Sequence, residues 1–165
     1  MLSDKARADI QATVVKYPVK KSAVLPSLHI AQAEAGYLKT EDMTEIAEIL
    51  GMSSSDVYAV ASFYSMMRME PLGTYLIEVC TCLACALRGS DAVVQRISDR
   101  LGIQEGETTP DGMFTHRPTV ECLASCGTAP MMQINHEYYE NLTDESIDQI
   151  LTQLRSQAGN GQSRH

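Results

Sequence analysis

The chain has 165 residues, 44% of them hydrophobic, a formal net charge of −8 and a pI near 4.9. That is enough apolar content for one domain, or one domain with an appendage, and the acidity makes a nucleic-acid phosphate backbone an unfavourable partner. No apolar run approaches the roughly 20 residues that cross a bilayer, and Met1 to Arg7 has neither a signal-peptide core nor transit-peptide character, so a bacterial cytoplasmic protein without direct membrane insertion is expected.

Helical periodicity opens the chain. Asp4 to about Tyr17 places Ala6, Ile10, Val14 and Tyr17 on one face before Pro18. A second helix starts near Ser22, turns Leu25, Leu28 and Ala31 inward and stops at Gly36; Pro26 falls in its first turn, where a missing N–H is tolerated. Thr40 is expected to cap a third helix (Met43, Ile46, Ala47 and Leu50 inward) that Gly51 ends. Ser53 to Asp56 resembles a capping box ahead of a fourth helix with Val57, Val60, Ala61 and Tyr64 on one face. None of these four carries a metal-ligand pattern, so packing is their expected role.

At Pro71-Leu72-Gly73 the pattern changes. Tyr75 to Val79 reads as a strand, Ser90 to Leu101 as a helix with Val93, Val94, Ile97 and Leu101 inward, and Thr109-Pro110-Asp111-Gly112 as a turn. Met113 to Thr115 and Thr119 to Glu121 are expected strands. Met131 to Ile134 and His136 to Tyr139 suggest a hairpin turning near Asn135, and Thr143 caps a last helix through about Leu154. The order β-α-β-β-α after residue 73 predicts an α+β protein: a helical region over 1–72, a thioredoxin-like domain with a small mixed sheet over 73–155, and a polar, frayed tail over 156–165. Charge is uneven between the parts, at net −2 for 1–72 and −6 for 73–165.

Function concentrates in the cysteines. Cys80 and Cys85 form C-x4-C, and Cys122 and Cys126 form C-x3-C, each pair following a predicted strand. Reduced cytoplasmic thiols in such groups point to metal or redox work rather than disulfides. Four thiolates complete the ligand set of an iron–sulfur cluster or of zinc, and the small residues between them favour a [2Fe–2S] cluster, whose sulfurs need backbone N–H groups close by. Leu83, Leu123 and Met131 are the expected apolar shield. Cys82 with Cys85 also makes C-x2-C, which leaves a zinc site or a redox dithiol as alternatives. The acidic surroundings favour a low reduction potential, on the order of −400 mV for an all-cysteine cluster. The four histidines are scattered and read as surface or turn residues, the nine methionines as adaptable packing. No G-x-G-x-x-G or P-loop is present, so no catalytic residue and no nucleotide site is expected.

The stretches Ile77-Glu78-Val79-Cys80-Thr81, Leu101-Gly102-Ile103, Glu107 to Gly112 and Val120-Glu121-Cys122-Leu123-Ala124-Ser125-Cys126-Gly127-Thr128-Ala129-Pro130-Met131-Met132 resemble the thioredoxin-like [2Fe–2S] ferredoxin subunit of respiratory complex I, that is, of bacterial NADH:quinone oxidoreductase. Gly36-Tyr37-Leu38 and Ala59 to Met66 resemble its amino-terminal helices, so the likeness covers about residues 15–155. It implies that Cys80, Cys85, Cys122 and Cys126 ligate one [2Fe–2S] cluster. Cys82 stands at a non-ligand position where the family more often has a small polar residue. The likeness further implies an electron-transfer subunit of the NADH-oxidising module, without independent catalysis. Its partners would be the FMN- and NADH-binding subunit and other peripheral-arm subunits, in a complex peripheral to the inner membrane. The alternatives are the equivalent subunit of an NAD-linked hydrogenase or formate dehydrogenase and, in another class, a zinc-stabilised interaction module.

Overall fold

A computed structural model describes residues 1–159, and the chain divides into two compact units, Met1–Pro71 and the residues from Leu72 onward. The first unit is helical: α1 (Asp4–Val14), α2 (Val24–Ala35), α3 (Thr40–Leu50) and α4 (Ser54–Phe63), with a 3-10 turn at Lys20–Ala23. Its core is one apolar cluster containing Ile10, Leu28, Leu38, Ile46 and Val57. Gly36 and Gly51 close α2 and α3 at φ +80° and +67°, a left-handed conformation that glycine adopts without steric cost. Ser53 Oγ accepts from the Asp56 N–H at 3.2 Å and so caps α4.

Three expectations for this unit are corrected. α1 ends at Val14 rather than Tyr17, and α4 ends before Tyr64, so both tyrosines are exposed instead of continuing the buried faces. Thr40 is the first helical residue, not the cap; Lys39 occupies the cap position and its side chain makes no capping bond.

The second unit is a four-stranded mixed sheet with helices. Its elements are β1 (Tyr75–Val79), α5 (Leu83–Leu87), α6 (Ser90–Leu101), β2 (Phe114–His116), β3 (Met132–Ile134), β4 (Glu137–Tyr139) and α7 (Asp144–Gly159). The spatial order is β2-β1-β3-β4; β1 runs parallel to β2 and antiparallel to β3. The hairpin β3–β4 turns at Asn135 (φ +56°) as expected. Phe114, Ile77 and Ile134 from the sheet pack with Ile97 of α6 and Ile147 of α7 in a second apolar core. Thr143 Oγ1 accepts from the Ser146 N–H at 3.2 Å, capping α7.

Here too the structure departs from the pattern reading. Thr119 to Glu121 is not a strand. Pro118 has no N–H to give the ladder, and beyond β2 the pairing goes on without a regular strand: the Arg117 N–H donates to the Ile77 carbonyl (2.9 Å), the Thr119 N–H to the Val79 carbonyl (2.8 Å), and Thr119 makes an isolated bridge to Cys80. Val120 then swings out to 82% exposure. α5 was not anticipated, and it places Cys85 on a helix instead of a loop. α7 continues past Leu154 through Gly159, so residues 156–159 of the expected frayed tail are helical; residues 160–165 lie outside the described residues. No helix among the described residues is long and apolar enough to cross a membrane.

Candidate metal centre

The parallel and antiparallel neighbours of β1 deliver the cysteines to one end of the sheet. Cys80 follows directly on β1, and its N–H donates to the Met131 carbonyl (3.2 Å) just before β3. Thr81 bonds across to the stretch after β2: its N–H and its hydroxyl both donate to the Thr119 carbonyl, at 2.8 and 2.9 Å. Cys122 and Cys126 lie beyond Thr119. The Cys80 thiol reaches the Glu121 carbonyl at 3.8 Å, which ties the first cysteine segment to the second.

Cys80, Cys85, Ala129 and Met131 form a small buried cluster of their own, with Cys82 and Leu123 packed against it. Of the three expected shielding residues, Met131 is fully buried and Leu123 half-buried. Leu83 is not a shield: at 72% exposure it points to solvent from the first turn of α5.

The sulfurs gather in two pairs. Cys80 and Cys85 are buried, at 2% and 1% exposure, in one small cluster. Cys122 and Cys126 are exposed, their sulfurs 3.3 Å apart. The surroundings act differently on the two pairs. Burial, then the neighbouring Cys80 thiol, pushes the Cys85 thiol up to about 11, so without metal it keeps its proton. The Ala124 N–H, donating to Cys122 Sγ at 3.4 Å, together with the Cys126 thiol, pulls Cys122 below the ordinary thiol range. Cys126 is raised by its hydrogen bond to Cys122. Ala124 makes its N–H···S contact from a left-handed φ of +65°, rare for a residue with a Cβ. Cys82, half-buried, packs against the Cys80–Cys85 cluster as a fifth thiol.

Among the described residues no three His, Cys, Asp or Glu side chains close around a point as ligands of a single ion. A tetrahedral zinc needs four sulfurs around one centre; a binuclear iron site takes cysteines as two per iron, with sulfide between the irons. Two sulfur pairs, the Ala124 N–H aimed at Cys122 Sγ and only Leu123, Ala124 and Ser125 between the second pair fit the latter better. The donor chemistry therefore suits an iron–sulfur group.

Sequence reasoning missed the surroundings of the second pair. Ser125 and Thr128 hydrogen-bond to Glu140 just after β4. Hydroxyls around the cysteines were visible in the sequence; nothing local in Glu140-Asn141-Leu142 marked the carboxylate as their partner.

Comparison with known proteins agrees with this chemistry. An NADH-quinone oxidoreductase subunit of Rhizobium meliloti is 41% identical over 150 residues, covering 91% of this chain and 89% of that protein. NADH-quinone oxidoreductase subunit 2 of Thermus thermophilus is 39% identical over 150 residues, 89% of this chain and 82% of its own length. An NADH-quinone oxidoreductase subunit of Mycobacterium tuberculosis is 40% identical over 92% of this chain, which spans only 60% of that relative. Among solved structures, an air-oxidized NAD+-reducing [NiFe]-hydrogenase superposes with a TM-score of 0.71 over 86% of this chain and 24% of the hydrogenase chain; at 22% identity this likeness speaks for the fold alone. The thioredoxin-like [2Fe–2S] ferredoxin family matches over residues 10–155. On that match and those identities the chain belongs to the thioredoxin-like [2Fe–2S] ferredoxins, with a [2Fe–2S] cluster as the cofactor that membership implies.

Proposed function

We propose that this chain is a one-electron carrier in an NADH:quinone oxidoreductase, holding its [2Fe–2S] cluster on Cys80, Cys85, Cys122 and Cys126. The observation that carries the reading is the arrangement of these four cysteines as a buried and an exposed pair at one end of the sheet. The cluster, when bound, supplies reversible uptake of a single electron. The chain's own part is to hold and tune. Cys80 and Cys85 present buried sulfurs from β1 and α5, and Cys122 and Cys126 present sulfurs open to solvent, where electrons pass to a partner. The Ala124 N–H stabilises negative charge on Cys122.

The partner proposed is the flavin-bearing, NADH-oxidising subunit, because hydride transfer releases two electrons and this chain has no dinucleotide or flavin motif of its own. The relatives' names favour this complex, while the hydrogenase supports only the fold. The chain would sit peripherally in the complex rather than in the membrane.

Purified cluster-loaded chain mixed with NADH is expected to stay oxidised, and to bleach in the visible once the flavin subunit is added. Rapid bleaching with NADH alone would overturn the assignment.

A further inference from the structure

The second cysteine segment is anchored from outside itself by a carboxylate. Glu140, directly after β4, accepts on one oxygen from the Thr128 hydroxyl at 2.6 Å and from the Ser125 hydroxyl. The two hydroxyls are themselves 2.8 Å apart. Ser125 sits between Cys122 and Cys126, and Thr128 two residues beyond, so the grip falls on both sides of Cys126. Backbone bonds reinforce it: the Asn141 N–H donates to the Thr128 carbonyl (2.8 Å) and the Leu142 N–H to the Pro130 carbonyl (3.0 Å). Between these bonds the cysteine segment has little regular structure, only the left-handed Ala124 and a 3-10 turn at Cys126–Thr128.

Resting on the cluster reading above, we propose that Glu140 is a positioning residue for the exposed half of the site, fixing the Cys122–Cys126 segment through Ser125 and Thr128 and placing one negative charge beside it. Two consequences are separable. As an anchor, it keeps Cys126 in place and slows loss of iron from the open side. As a charge, it disfavours adding an electron to a site already anionic. A merely structural residue would show the first effect and not the second. The hydroxyls of Ser125 and Thr128 hold the carboxyl below the usual carboxylate range, so the charge is present at neutral pH.

The test uses the full chain, reconstituted anaerobically with iron and sulfide, as wild type and as Glu140→Gln, Glu140→Asp and Glu140→Ala. Redox titration followed by EPR reads the charge. Glu140→Gln is expected to keep wild-type iron and to raise the reduced-to-oxidised ratio at fixed potential about threefold, about 28 mV at 59 mV per tenfold for one electron; Glu140→Asp keeps the wild-type midpoint. Chelator-driven iron release reads the anchor, and Glu140→Ala is expected to lose iron severalfold faster. In iron-free protein, amide exchange over residues 126–128 rises in Glu140→Ala and stays near wild type in Glu140→Asp. An unchanged midpoint in Glu140→Gln, or wild-type iron release in Glu140→Ala, overturns the proposal. A wild-type chain that takes up no iron or sulfide fails earlier and overturns the cluster reading with it.

Discussion

The two units bury different kinds of side chain. Met1–Pro71 is closed by aliphatic residues and methionine; its buried polar groups are Ser27, which donates to the Ala23 carbonyl (2.7 Å), and Asp42. The unit from Leu72 onward buries Cys80 and Cys85 and, with them, Ser90, Thr109, Thr115 and His116. Both units are closed by an apolar cluster and held by area removed from water, a non-directional force. The second places groups that want specific partners at positions an apolar side chain would fill more cheaply. The cysteines lie in the second unit.

The sharpest way to break this contrast is at the sulfurs. Serine at Cys80, Cys85, Cys122 or Cys126 is expected to abolish or gravely weaken cluster binding, read as iron and acid-labile sulfide per chain, because a hydroxyl ligates iron far worse than a thiolate. Cys82→Ser is expected to retain both. Iron lost from Cys82→Ser but kept in Cys80→Ser would reassign the ligands. Next in size is a cut into the apolar unit. Leu28 is fully buried, and Leu28→Ala should cost about 3 kcal/mol of unfolding free energy while leaving the visible spectrum of folded protein unchanged. A changed spectrum would mean that the first unit is more than packing.

A smaller effect, confined to the second unit, comes from His116, which lies buried on a strand and not at the surface or turn position expected of the histidines. Its ring is fully buried on β2, with Nδ1 3.2 Å from Ser98 Oγ and Nε2 unpartnered; burial lowers its pKa to about 4. A folded value below the unfolded one (about 6.5) means that the unfolded chain binds the proton first. The contribution is therefore intact above pH 6.5 and is lost as pH falls towards 4, by about 2 kcal/mol between pH 7 and 5. Denaturant unfolding of wild type and His116→Leu at both pH values checks this. The variant should lose that share of the slope, and equal slopes would show the ring to be reached by water.

Legibility followed the range of the interaction involved. Gly36, Gly51 and Gly102 announced helix ends because a left-handed residue is a local demand, and α6 was readable to the residue because Val93, Val94, Ile97 and Leu101 repeat at helical spacing. The five residues of α5 are too few to show a period. Periodicity assigned Tyr17 and Tyr64 to buried faces because it does not register that a helix has already stopped. At the site, the four cysteines and their spacing were plain in the sequence. The burial of one pair, the exposure of the other and the reach of Glu140 to Ser125 and Thr128 depend on segments far apart in the chain, and no local pattern encodes them.

The place of β1 at the middle of the sheet also sets an order of events during synthesis. It is the first strand made, yet its partners are Phe114–His116 on one side and Met132–Ile134 on the other. The helices of the first unit find their packing partners close by in sequence, whereas β1 must wait for both neighbours to leave the ribosome, and non-local pairing of this kind is slow. Until residue 134 has emerged, Cys80 and Cys85 lack the lid that Met131 gives them in the finished fold. The nascent chain thus passes through an interval in which the two thiols buried in the finished fold are still uncovered.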